Sequence, residues 1–334
     1  MNYTGLGDLS QSFALRQSTV RIRQEIDQLT QELTSGQISD PKSALRGNLS
    51  FLTDVERQSA VLDSYGVAAK EAETFTTLMQ LALTNFGDIA QDLSGALLTA
   101  GTSTLGSSVI DISNNARAAL DSLVGTLNGD VAGRSFFAGN ATDARPVADT
   151  DTILTDLTAA LAGATTPADI MAAAQAWFAD PLGFEASAYQ GSTAPLSDFR
   201  LSAEDTVTVD VRATDPGLTR TLASAAVAAL AADPALALDI ENQTELLSLA
   251  GEDLLLGSDE VTGVQARVGL AQGEIDKIAT RNAATLTSLN IAKNALLEAD
   301  PFETATRLEE AQFQLQSLYS VTVRNSQLSL LNFL

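Results

Sequence analysis

Two stretches at opposite ends of the chain carry the same hydrophobic phase, and they constrain the fold more than anything between them. In LRQSTVRIRQEIDQLTQEL the apolar residues Leu15, Ile22, Ile26, Leu29 and Leu33 are separated by seven, four, three and four positions. Near the other end Leu308, Ala311, Leu315 and Leu318 follow at three, four and three. Such intervals put the side chains on one stripe of an α-helix, in the heptad phase of a coiled coil. Each stripe needs a partner, and the other terminal helix offers a matching seam in which knobs fill holes. The expectation is a mainly α fold in which long terminal helices pair in a coiled-coil bundle, with a small α+β domain inserted between them.

The chain between these helices is punctuated clearly. Gly36 and the Asp40-Pro41 pair end the first helix, and Asp300-Pro301 marks the start of the last, because proline keeps the residue before it out of helical backbone. Helical pattern is expected from about Lys42 through Leu52, Val55, Leu62, Phe75, Leu78, Leu81 and Ile89 towards Gly101, and again from about Ser107 to Leu127. At GDVAGRSFFAGNATDARPVAD, residues 129–149, Gly, Asn and Pro interrupt short apolar pieces as turns do. Short Ala-rich helices are expected around Asp156 and Asp169. Val207, Val209 and Val211 then alternate with polar residues as a half-buried strand does. Helical pattern returns at about Ser258 with Val261, Val264, Val268, Ile275 and Ile278. The expected division is therefore an N-terminal assembly helix (1–40), the first part of a helical bundle domain (41–130), an inserted variable α+β domain (131–257), the second part of the bundle domain (258–300) and a C-terminal assembly helix (301–334).

Charge and composition narrow what such a chain can do. It has no Cys and no His, which removes thiol nucleophiles, His general bases and the usual zinc ligands. The formal net charge is -23, and residues 151–250 hold 14 acidic against 3 basic side chains, a surface that repels phosphate backbones and anionic lipid. No nucleic acid is expected as a partner. GTSTLGSS, residues 101–108, has the glycines of a phosphate-binding loop but Ser107 where its lysine must stand. The carboxylate pairs Glu252/Asp253 and Asp259/Glu260 sit side by side on a helical stretch, point in different directions and read as a solvated face. No catalytic residue, cofactor or metal site is expected, so the chain reads as a non-enzyme.

The C-terminal stretch asks for cover. From Ala311 to Leu334 the only charged side chain is Arg324, and the last ten residues, NSQLSLLNFL, have none. Gln312, Gln314, Gln316, Asn325 and Gln327 make this a poor membrane segment. The apolar run ASAAVAALAA, residues 223–232, is about half the length of a membrane span, so no membrane insertion is expected. Other copies of the same or a related protein are the better cover. Burying Leu328, Leu330, Leu331, Phe333 and Leu334 contributes roughly 1.5 to 3 kcal/mol each, on the order of 7 to 15 kcal/mol per subunit, which is comparable to the cost of association. The N-terminus MNYTGLGDLSQSFALRQ has no basic leader followed by an apolar stretch, so export is expected without a cleaved signal peptide.

Three motifs resemble the flagellar axial proteins, the family of flagellin and the hook-associated proteins. LTSGQISDPKSAL (33–45) is similar to the family's helix-ending stretch near the N-terminus, and LLEADPFETATRLEEAQFQLQ (296–316) to its acidic turn before the last helix. GRSFFAGNATDARP (133–146), with Gly133, Arg134, Phe137, Gly139 and Pro146, resembles a stretch of the hook-filament junction subfamily, hook-associated protein 3, as does the ending SQLSLLNFL. The resemblance implies a flagellin-like fold and a structural adaptor between hook and filament, extracellular on the bacterial flagellum. It implies as partners the chain itself in a ring or helical assembly, a neighbouring hook-associated protein, flagellin, and an export chaperone on the C-terminal helix. Flagellin itself, the bulk filament subunit, is the alternative, with another secreted coiled-coil assembly protein behind it. The assembly interface is expected at Leu6, Leu9, Phe13, Leu15, Ile22, Ile26, Leu29 and Leu33 in the first helix. In the last it is expected at Leu308, Leu315, Leu318, Val321, Leu328, Leu330, Leu331, Phe333 and Leu334.

Overall fold

A computed structural model describes residues 4–45, 49–100 and 106–331, with side chains at 10, 13–45, 49–99 and 108–324. The described helices are α1 (Thr4–Ser35), α2 (Pro41–Ala44), α3 (Ser50–Ala100), α4 (Gly106–Leu127), α5 (Thr150–Ala160), α6 (Pro167–Ala179), α7 (Phe184–Ser187), α8 (Pro216–Leu230), α9 (Ile240–Leu297) and α10 (Pro301–Leu331). Two antiparallel ladders, β1 (Asp130–Val131) with β2 (Arg134–Ser135) and β3 (Phe199–Arg200) with β4 (Thr206–Val207), lie between α4 and α8. The fold is mainly α. The chain divides into two compact units, residues 1–63 with 284–334, and residues 64–283.

In the unit of both chain ends, α1 and α10 pack on each other along the seam the heptads define. Ile22, Leu29 and Ala311 are buried, with Ile26, Leu308, Leu315 and Leu318 half-buried against them. The turns that follow α1 and precede α10 are stitched backbone to backbone. Ile38 N donates to Leu297 O (2.8 Å) and Ala299 N to Gly36 O (3.0 Å), making an isolated bridge between Gln37 and Glu298. Gly36 turns the chain with φ +69°, where a Cβ is unfavourable. Asp40 caps α2 by accepting from Ser43 N (3.2 Å). Asp300 caps α10 by accepting from Phe302 N (2.8 Å) and Glu303 N (3.1 Å), the role a short polar side chain fills at a helix start. Each Asp-Pro pair thus works as one device, an acceptor followed by a residue that lacks an N–H and is pre-set for the first helical turn.

The unit of residues 64–283 is organised around α8. Leu218, Leu222, Ala225, Ala226, Val227 and Ala228 are fully buried, and α4 and α6 pack against the helix. Alanine lets backbones approach: Ser113 Oγ on α4 donates to Ala229 O (2.8 Å), and Ser94 Oγ on α3 donates to Gly251 O of α9 (2.7 Å). One contiguous apolar core runs from Ala69 of α3 to Ile278 of α9, through Phe136, Phe137, Leu157, Ile170 and Val209 of the intervening segment.

Several boundaries differ from the sequence expectation. The helix expected from Lys42 is two pieces, α2 and then α3 from Ser50. The helix expected from Ser258 begins at Ile240, because a polar first turn hides its start. The strand expected at Val207–Val211 is a ladder only at Thr206–Val207, although Val207, Val209 and Val211 are all buried. The alternation reports burial there, and no second strand runs far enough to pair with it.

Candidate assembly surface

The terminal pair presents two kinds of apolar surface. On the inner face Leu15 and Ile26 are half-buried and Ile22 and Leu29 buried, as the seam requires. Leu33 keeps the heptad spacing yet is 40% exposed, a departure from the expected seam. At that end of the helix it is Glu32 that turns inward, its carboxylate accepting from Ser39 N (3.0 Å) and Gln28 Nε2 (3.1 Å). On α10, Leu308, Leu315 and Leu318 are half-buried in the seam and Val321 is 50% exposed. Arg23 of α1 donates to the Tyr319 hydroxyl of α10 and lies over its ring at 5.9 Å.

The outer faces carry Phe13, which the sequence reading placed in the interface, and three residues it passed over, Val20, Phe302 and Phe313. Phe13 and Val20 are 67% and 55% exposed on α1, and Phe302 and Phe313 are 84% and 70% exposed on α10. At about 100° per residue, steps of seven and eleven return to nearly the same side of a helix. Phe302 and Phe313 therefore share a stripe, and Phe313 stands two positions from Ala311, on the side away from the seam. The signal was available: a second apolar repeat, out of phase with the heptad. Of the remaining expected interface residues, the side chains of Leu6, Leu9, Leu328, Leu330 and Leu331 lie outside the described residues, as do Phe333 and Leu334 altogether.

The five motif residues of 133–146 lie in the other unit and brace it. Gly133 takes φ +78° in the β1–β2 turn, closed by Gly133 N donating to Asp130 Oδ2 (2.8 Å). Arg134 stacks over Phe75 at 5.3 Å and Phe199 at 6.0 Å while pairing with Glu71, a cation held on aromatic faces. Phe137 is fully buried, and its carbonyl accepts from Ala213 N (3.0 Å). Gly139 takes φ +61°, and a Cβ there would collide with the carbonyl oxygens of Ala194 and Ser192. Pro146 O accepts from Gln190 N (2.8 Å).

The carboxylate pairs read as a solvated face are partly something else. Asp253 is 7% exposed and receives Arg220 Nε (2.9 Å) and Nη2 (2.7 Å), while Glu260 receives Nη1 (2.8 Å). Ser224 Oγ completes the set on Asp253 (2.7 Å). These bonds hold Arg220 above its ordinary pKa, the hydrogen bond to Asp253 first. The acids fasten α8 to α9 and are not free for proton transfer. The segment 101–105 of the glycine-containing stretch lies outside the described residues. Among the described residues no cluster of Asp or Glu is arranged to hold a metal ion, and no helix is long and apolar enough to cross a membrane.

Residues 258–334 match the family model of the bacterial flagellin C-terminal helical region. A solved structure from Vibrio parahaemolyticus, assigned as a flagellar hook-associated protein, shares the fold with a TM-score of 0.51 at 13% identity. The match covers 77% of this chain and 98% of that one. No curated protein matches the chain.

Proposed function

We propose that this chain, whose residues 258–334 match the bacterial flagellin C-terminal helical region, is a structural subunit of the bacterial flagellum, an adaptor joining hook to filament. The observation that carries this reading is the terminal pair, whose seam is closed within the subunit while Phe13, Val20, Phe302 and Phe313 stand exposed on its outer faces. Exposed apolar stripes on paired helices are surfaces for other copies, and the uncharged end NSQLSLLNFL extends the same character. The partners in this reading are further copies of the chain in a ring or helix, a neighbouring hook-associated protein on one side and flagellin on the other. A chaperone covers the C-terminal helix before export, and the assembled protein is extracellular.

The junction role is favoured over a bulk filament subunit by the motif Gly133, Arg134, Phe137, Gly139 and Pro146. Flagellin remains the second reading because the terminal helices serve either role. Abundance separates them: a junction subunit is a trace component of sheared filaments, retained at the hook end, and recovery of this chain as the bulk filament protein overturns the proposal. Replacing Leu331 with Asp puts an unpaired carboxylate into an apolar contact. The expected result is an unchanged monomer melt with loss of incorporation at the hook end. Normal incorporation would mean that nothing covers the tail.

A further inference from the structure

Asn128 is the only asparagine in the sequence followed by glycine. That pair is open to a reaction within the chain. The Gly129 backbone nitrogen, with no side chain beside it to hinder approach, adds to the Asn128 carboxamide carbon. Ammonia leaves, and a five-membered succinimide forms. One water then opens the ring to aspartate or isoaspartate, so the balance is amide plus water to acid plus ammonia. No oxidant, metal or enzyme is needed. What the reaction requires is that the side chain swing onto Gly129 N and that the backbone there be free to move.

Folding withdraws both freedoms. Asn128 Nδ2 donates to Val147 O (3.0 Å) and Val147 N donates to Asn128 Oδ1 (2.9 Å), so the carboxamide is pinned at both atoms. The would-be nucleophile, Gly129 N, donates to Thr126 O (3.1 Å), and Asn128 N donates to Val124 O (3.0 Å). The Gly129 carbonyl accepts from Phe136 N (3.3 Å). The amide serves Val147 at both ends, giving a proton to its carbonyl and taking one from its N–H. A carboxylate has no proton to give and sets a negative oxygen against Val147 O. Isoaspartate is worse, since it adds a methylene to the main chain where α4 ends.

We propose that Asn128 is a self-modification site gated by folding. While the chain is unfolded it converts hydrolytically to aspartate and isoaspartate; folding closes the site, and a converted chain cannot rebuild the bond pair to Val147 that fastens the end of α4 to the loop 129–147. The conversion runs one way, so time spent unfolded is written at this residue. All the groups lie within residues 64–283, and the inference does not depend on the flagellar reading.

The test incubates the full chain at neutral pH in buffer and, in parallel, in guanidinium chloride, and follows each asparagine by peptide mapping that resolves aspartate from isoaspartate. Attack from a closed site tracks the fraction of time it stands open, so Asn128 is expected to convert at least about tenfold more slowly in the folded chain. In denaturant it should convert ahead of Asn140, which is followed by Ala. Equal rates in both conditions, or no lead over Asn140 in denaturant, would overturn the gate. A refolded Asn128→Asp chain addresses the consequence. Protease is expected to cut it between residues 129 and 147 faster than the unaltered chain, with α8 still protected, and equal resistance would overturn that half of the proposal.

Discussion

Phenylalanine behaves in opposite ways in the two units of this chain. In residues 64–283, Phe75, Phe86, Phe137 and Phe184 are among the largest fully buried side chains. In the unit of the chain ends, Phe13, Phe302 and Phe313 are each more than two-thirds exposed. The difference lies in how many elements surround each position. Around α8, helices and the loop 129–149 converge from several sides, so a large ring finds cover in every direction. Along α1 and α10 the described packing is of each helix on the other, and among the described residues the rings on the outer side stand exposed. The first unit has a core of its own. The second has a seam, and Phe13, Phe302 and Phe313 stand exposed outside it.

The largest expected effect sharpens this contrast. Phe86→Ala removes a fully buried ring and should cost about 3–5 kcal/mol through lost burial and the cavity left behind. The thermal transition of residues 64–283 is the readout, and a shift of only a degree or so would mean that this core is not the closed structure described. Leu29→Ala, at a seam position 2% exposed, should cost about 2 kcal/mol or more. Its signature is a loss of helical circular dichroism from α1 and α10 that leaves the transition of residues 64–283 in place. If both transitions move together, the units are not separate in stability.

A pH effect follows for the closed unit alone. Burial pushes the Tyr189 phenol up from 10.0 to about 12, its hydroxyl donating to Ser192 O (3.0 Å). The unfolded chain loses this proton first, so stability from the neutral phenol is complete below about pH 10 and drains away as pH rises towards 12. The slope is at most about 1.4 kcal/mol per pH unit. Denaturant midpoints measured through that window should fall more steeply for the unaltered chain than for Tyr189→Phe. The smallest expected effect is Phe313→Ser. On an outer face it should change monomer stability by no more than about 0.5 kcal/mol, yet reduce co-sedimentation with assembled material.

How much of this was written in the sequence depends on how far away each residue's partner lies. The seam was legible because a helix covered on one side separates apolar from polar residues with a fixed period, and Ile22, Leu29 and Ala311 kept that period. The Asp-Pro caps were legible for the same reason, since their partners are two or three residues away. Helix α8 was not. ASAAVAALAA is buried all round, so it has no polar side to give a phase, and its apolar run drew comparison with a membrane span instead of a core helix. The Gln37–Glu298 bridge and the Arg220 link to Asp253 and Glu260 join residues far apart in the chain, and local pattern carries no trace of either. Phe302 and Phe313 were in plain view, but the apolar positions read off that helix beside the heptad stripe, Val321, Leu328 and Leu331, left them out.

The division between a closed unit and an open seam is tested most directly by amide hydrogen exchange on the same chain, dilute and then assembled. In the dilute chain, residues 13–35 of α1 and 301–324 of α10 are expected to exchange well before α8, since a two-helix pair opens more readily than a closed core. On assembly the terminal residues should gain protection while α8 stays as it was. Terminal helices as well protected as α8 in the dilute chain, with no gain on assembly, would contradict the claim that they are built to be completed by other subunits.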